Sequence, residues 1–310
     1  MSKALYNSRM KRNQKKKSKA WLIWLLLVII VAAIAAVLIV KPFSKSKTTT
    51  APSSSKNAPI KVNPSQSATI ISSSSVVASD DTQKVASAGE AGWVQVKSKG
   101  TADKFTDMSK GDVTIYKAHN PKVLKTATSD NPTLQVLPDV MAQYPNALIM
   151  NTSGFNMSTG QITGFQINNG KLFTNWGENK RANTAFVINK DGSSTVYDSS
   201  TPASEILAKG AEQSYSFGSI LIKNGVVQPD DGSVNWMIHS YLANDADNNI
   251  YVMVAATGVA YQGIMDTVSD MHLKDLVVMD GGGSSQMGFK GQTLVASQDN
   301  RQVGDFIVLK

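Results

Sequence analysis

The chain of 310 residues contains no cysteine, which removes disulfides, thiolate nucleophiles and cysteine-held zinc. Histidine is nearly as scarce. His119, His239 and His272 lie far apart and match no His-x-x-x-His metal spacing. Acidic residues are missing from the whole N-terminal region, where the first is Asp80. About 13 of the 31 Lys and Arg residues fall at or before Lys61. The net charge of +8 therefore describes a tail. The remainder carries about 18 basic side chains against all 23 acidic ones, and is mildly acidic. It shows no basic face to neutralise phosphates, so nucleic acid is not an expected partner.

What is present first is a long apolar run. A basic tail over residues 1–19 precedes Trp21–Val40, a stretch without a charge. About 20 residues at about 1.5 Å each span a ~30 Å hydrocarbon core. Trp21 and Trp24 stand at its start, where indoles favour the interface, and the basic residues before it keep the N-terminus cytoplasmic. A cleaved signal peptide is the alternative, but its apolar region would be only ~7–15 residues. The expectation is a single-pass signal anchor over residues 20–40. Residues 41–90 are rich in Ser, Thr, Pro, Lys and Ala. Such a composition buries too little apolar surface to offset ordering entropy, and it reads as a disordered stalk. Residues 91–310 then form an extracytoplasmic globular domain.

Within that domain, hairpins outnumber helices. Asn169-Gly170, Asp191-Gly192 and Asn224-Gly225 each separate two apolar runs and tolerate the positive φ of tight turns. Leu137–Pro145 reads as a short helix with Pro138 in its first turn. In the stretch from Ser200, Thr201 would cap a second helix, with Pro202 at its first position and Gly210 as its stop. A third places Ile264, Val268, Met271 and Asp275 on one face. Strand, helix and strand between Asn248 and Met279 suggest a parallel crossover. The fold expected is α+β, a mixed β-sheet with several hairpins and a few flanking helices.

The chemistry concentrates in "LVVMDGGGSSQM", Leu276–Met287. "LVVM" reads as a strand buried on both faces. Asp280 ends it, three glycines permit close backbone approach, and Ser284 and Ser285 add hydroxyls. Successive amides in such a turn can hold an anion. No lysine follows the glycines, so this is not a nucleotide P-loop, and no G-x-S-x-G elbow is present. A plain tight turn and a binding loop both fit. "LIMNTSGF" repeats the pattern: an apolar strand, Asn151, and a turn of small residues. The two strand ends could face one pocket, or Asn151 could simply make an Asx-turn.

"VVMDGGGSSQM" resembles the signature of the phosphodiester glycosidase family. The likeness runs in order from about Asp112 to Lys310. "NALIMNTSGF" resembles the family's Asn-Gly-Gly-Phe strand end, with Asn151 and Phe155 in place. "RANTAFVINKDG" resembles its Arg-led strand, with Arg181, and "NRQVGDFIVL" its final strand, opened by Arg301. One stretch departs. Where the family commonly has Pro-Arg-Thr-Ala-Ile-Gly, this chain has "WMIHSYLAND", with His239 for the Arg, Ser240 for the Thr and Ala243 for the Gly.

The resemblance implies hydrolysis of a sugar-1-phosphodiester at the C1–oxygen bond through an oxocarbenium-like state. In that reading Asp280 is the base or electrostatic stabiliser, and Asp266 a second candidate carboxylate. Gly281, Gly282, Gly283, Ser284 and Ser285, with Arg181, His239 and Arg301, hold the phosphate. Asn151 orients sugar hydroxyls. Trp176, Trp236 and Tyr241 could stack on sugar, against core packing as the default. No cofactor is required, and the spacing neither demands nor excludes a divalent cation on Asp280. With the anchor, the stalk and the lack of cysteine, the expected setting is a Gram-positive cell surface. The expected substrate is a surface or exported polysaccharide. The rival readings are a non-catalytic glycan-binding module and a surface scaffold.

Overall fold

A computed structural model of the chain describes residues 92–128, 132–178, 182–234 and 238–310. The basic tail, the anchor, the stalk, Arg181 and Trp236 lie outside the described residues.

Three sheets build the domain, and every strand pairing described is antiparallel. In the first, the spatial order is β1 (Trp93–Gln95), β4 (Lys122–Lys125), β18 (Phe306–Leu309), β5 (Leu148–Asn151), β16 (Met287–Phe289), β17 (Gln292–Val295). The second runs β7 (Lys171–Thr174), β6 (Gln166–Asn168), β10 (Ala211–Tyr215), β8 (Thr184–Asn189), β9 (Ser194–Asp198). The third begins β12 (Val226–Val227), β11 (Ile220–Lys223), β15 (Leu273–Gly281), β13 (His239–Asp245). It continues with β14 (Ile250–Ala255), β3 (Val113–Ala118) and β2 (Phe105–Asp107).

Strand periodicity explains how the sheets meet. Successive side chains alternate faces, so Leu242, Val252, Val277 and Met279 enter one shared core. There they join Leu148, Met150 and Ile307 from the first sheet and Phe186, Ile188 and Tyr215 from the second. The alternate positions Tyr241, Ala243, Met253, Leu276 and Val278 form a second apolar layer on the outside of the third sheet. Each outer face is closed by one short helix. Helix α1 (Leu137–Gln143) covers the first sheet, α2 (Ala203–Ala208) the second and α3 (Tyr261–Val268) the third. The "LVVM" stretch of β15 is buried on both faces, as its unbroken apolar run predicts.

All three expected hairpin turns form. Asn169 and Asn224 take positive φ with the glycines that follow them, while at the Asp191-Gly192 turn only the glycine does. Four expectations are corrected. The domain is mostly β, with antiparallel sheets in place of a mixed sheet. The β14–α3–β15 unit does carry two strands in one direction, but β13 lies between them and pairs with both, so no parallel ladder forms. The third helix also stops at Val268. Asp275, expected on its apolar face, lies instead in β15, where it accepts from the Asn224 amide (3.0 Å) and steadies the β11–β12 turn. The second helix starts one residue later than its sequence suggests, with Pro202 in the cap position and no side-chain cap.

Candidate active site

The site forms where strand ends of two sheets meet. His239, the first residue of β13, is the cross-strand partner of Gly281, the last of β15. The Asp280 amide leaves its own sheet and donates to the Thr152 carbonyl (2.8 Å), just beyond the end of β5. Asn151 completes the join. Its Nδ2 donates to the Asp280 carbonyl (3.0 Å), and its Oδ1 accepts from Ser240 Oγ (2.6 Å) and the Gln286 amide (2.9 Å). The two similar strand ends are thus bonded to each other. Asn151, expected to face sugar hydroxyls, is buried and committed to this clasp.

Each glycine has a separate steric reason. A Cβ on Gly281 would collide with the His239 ring and the Ile238 carbonyl. Gly282 takes φ +62° and donates its amide to Ile238 (2.7 Å). A Cβ on Gly283 would lie 2.7 Å from Arg301 Nη2 and from both Asp299 carboxylate oxygens. Three of the amides expected to hold an anion are already engaged. Gly281 donates to Asp280 Oδ1 (3.0 Å), Gly282 to Ile238, and Ser285 to the Gly282 carbonyl (3.1 Å).

Asp280 is half-buried among half-buried glycines. Burial, the dominant cause, pushes its carboxyl up to about 6 against hydrogen bonds from Ser284 and the Gly281 amide and the charge of Arg301. Such a carboxylate accepts and returns a proton near neutral pH. Arg301 is held in place by Asp299, whose Oδ2 accepts from Nε (3.1 Å) and Nη2 (2.6 Å). Ser297 Oγ donates to the Gly283 carbonyl (2.6 Å) and accepts from the Arg301 amide (2.9 Å), fixing the arginine segment to the loop.

His239 is buried, and neither ring nitrogen has a hydrogen-bond partner among the described residues. Burial, the largest cause, holds its pKa below the usual histidine value; the Met279 and Ser233 backbones lie near enough to oppose this weakly but not in hydrogen-bond geometry. At neutral pH it is an uncharged imidazole, so it cannot replace an arginine as a cation. Ser285 Oγ is also buried without a partner among the described residues. A buried group of this kind calls for a water or another partner to complete it.

Other candidates do not converge on Asp280. Asp266 is exposed on α3, accepts from Gln262 Nε2 (2.8 Å) and lines a separate groove with Ile222, Val227, Tyr261, Met265 and His272. That groove, about 500 Å³, lies on the outer side of the third sheet and includes no residue of the glycine loop. Trp176 stacks on Phe165 at 3.9 Å and donates Nε1 to the Thr201 carbonyl (2.7 Å), a packing role. Tyr241 is fully buried. His119 is tied to Asn249 and Asn120. Among the described residues no three His, Asp or Glu side chains gather as a metal site.

Sequence reasoning missed what lies beneath the loop. Thr152 and Ser153, passed over as turn residues, bond to the buried Asp305, which pairs with the buried Lys125. The one local signal was the position of Asp305 at the mouth of an unbroken apolar strand.

A carboxylate of raised pKa on a glycine turn, flanked by hydroxyls and an arginine, defines the site as one suited to hydrolysis. Residues 146–310, more than half of the chain, match the phosphodiester glycosidase family. The chain belongs to that family. No curated protein matches it by sequence. Among solved structures, it is similar to the catalytic domain of zebrafish N-acetylglucosamine-1-phosphodiester alpha-N-acetylglucosaminidase, auto-inhibited by its pro-peptide. The TM-score is 0.53 at 16% identity, over 69% of this chain and 86% of that one. A hypothetical protein from Synechocystis (TM-score 0.43, 13% identity, 70% and 61% covered) also matches. So does a putative exported protein from Burkholderia pseudomallei (0.46, 10%, 64% and 73%). At these identities the likeness concerns the fold.

Proposed function

We propose that the chain is a membrane-anchored extracytoplasmic hydrolase that cleaves the C1–oxygen bond of a sugar-1-phosphodiester in a cell-surface or exported glycopolymer. The observation that carries this reading is the half-buried Asp280 carboxyl, raised to about 6, beside the Arg301 charge on a glycine loop packed against His239 and Asp299. As the C1–O bond breaks, its electron pair leaves on the phosphate and positive charge grows on the sugar ring. Ionised Asp280 stabilises that charge and takes a proton from the water that adds to C1. Arg301 is the donor for the phosphate, and the uncharged, buried His239 ring backs the loop at Gly281. The products are a free sugar and a phosphate monoester. No cofactor is required by this scheme.

The membrane setting is supported by the charge-free Trp21–Val40 run and its basic flank. Protease added to intact cells should then remove the C-terminal domain. For the chemistry, a panel of hexose- and N-acetylhexosamine-1-phosphodiesters would be incubated in ¹⁸O-water. The label should enter the free sugar. Label in the phosphate would mean P–O cleavage and sink the mechanism, and binding of the panel without turnover would favour a non-catalytic glycan-binding module.

A further inference from the structure

Asp305 precedes β18, and Lys125 ends β4; both side chains are 0% exposed. The Asp305 carboxylate accepts from four donors. Lys125 Nζ and Ser153 Oγ (2.5 Å) bond to Oδ2, as does Thr152 Oγ1 (3.0 Å), and the Ala127 amide bonds to Oδ1 (3.1 Å). Lys125 Nζ also reaches Ser153 Oγ (3.3 Å) and sits 4.5 Å above the Tyr215 ring of the second sheet. The Ser216 amide donates to Ser153 Oγ (3.2 Å), and the Thr152 amide to the Asp305 carbonyl (3.1 Å). The Thr152 carbonyl is the group that receives the Asp280 amide. One buried ion pair therefore fixes a turn touched by all three sheets, and that turn holds the backbone of the proposed catalytic carboxylate.

A buried ion pair is a poor device for stability. Its desolvation cost rivals its attraction, and apolar or neutral replacements are often as stable. Its placement under Asp280 gives it another use. We propose that Lys125 and Asp305 are positioning residues, acting through Thr152 and Ser153 to hold Asp280 in its working orientation. The kinetic part of this claim rests on the proposed hydrolysis, and the structural part does not.

The test is the full-length double variant Lys125→Met/Asp305→Asn, which removes both charges at nearly constant volume, with Thr152→Val as the milder variant expected to fold in any case. Hydrogen exchange at the Asp280 amide, read by NMR, should quicken at least tenfold in the double variant and about threefold in Thr152→Val. On a cleavable sugar-1-phosphodiester, kcat should fall roughly tenfold in the double variant while KM changes less than twofold. A role confined to folding would lower the melting temperature and leave kcat of the folded protein unchanged. Wild-type exchange at Asp280 in a folded variant would overturn the proposal. Should the wild-type protein cleave none of the substrates, the hydrolytic reading fails, and the exchange measurement still decides whether the pair positions Asp280.

Discussion

Two aspartates at sheet ends have opposite surroundings. Asp305 is sealed in the core and accepts from a lysine, two hydroxyls and an amide. Asp280 is half-buried, and its carboxyl interacts with Ser284, its neighbour's amide and the charge of Arg301. An ionised carboxylate has about four lone-pair sites. Asp305 accepts from four protein donors, three of them on Oδ2, whereas Asp280 keeps more capacity for a ligand. In the proposed reaction the working carboxylate is the one the fold leaves less satisfied, and the one with more protein donors serves rigidity.

The strongest test of that contrast is Asp280→Asn. Turnover should fall by about 10³-fold or more, the scale of a positioned acid–base group with its charge. Stability should move the other way. The folded protein holds the Asp280 proton up to about 6, while the unfolded chain releases it near the ordinary aspartate value of 3.8. The protonated form thus supports folding below pH 3.8, and this support is lost as pH rises towards 6. At pH 7.5 the ionised, half-buried carboxylate is a liability. Asp280→Asn should therefore raise unfolding free energy by roughly 1–2 kcal/mol, after allowance for solvent screening. Urea titrations at pH 3.5 and 7.5 check the sign; equal gains at both pH values would show that Asp280 is not held under burial strain.

The loop glycines come next. Gly281→Ala puts a methyl group against the Ile238 carbonyl and a boxed-in His239 ring, neither of which can retreat. About 2–3 kcal/mol of stability should be lost, within the usual range for overpacking. Gly283→Ala meets the movable ends of Arg301 and Asp299 and should cost about 1 kcal/mol. If both cost the same, the loop is looser than its contacts imply. A smaller effect should appear in the pH profile. With Asp280 as base, kcat/KM of the wild type should rise with pH and reach half its plateau near 6. In Arg301→Gln the midpoint should move upward, because the arginine charge favours the ionised carboxylate.

The same two aspartates show what a sequence makes legible. Asp280 stood out as a candidate because the features that mark it are local: an apolar run, one acid, three glycines and two hydroxyls in twelve residues. The hairpins were readable for the same reason, since Asn-Gly pairs specify their turns without help from distant chain. The Lys125–Asp305 pair was not readable. Its members are 180 positions apart, and each alone looks like a solvated charge. Sheet partition was equally hidden: β15 and β14 look adjacent along the chain, yet β13 inserts between them. The clasp made by Asn151 was not readable, because the Ser240 and Gln286 donors to its oxygen come from segments far along the chain.

Asp266 supplies the smallest expected effect and a control on the whole comparison. Sequence proximity to the motif made it a second carboxylate candidate, yet α3 turns it outward, into the groove beside β11 and β12. Its carboxylate is exposed and its bond to Gln262 lies within one helix. Interactions of this kind contribute a few tenths of a kcal/mol. Asp266→Asn should therefore change stability by less than about 0.5 kcal/mol and leave kcat and KM within about twofold of wild type. A tenfold loss of kcat would mean that the α3 groove takes part in the reaction, and that exposure and partner count do not separate working carboxylates from idle ones in this fold.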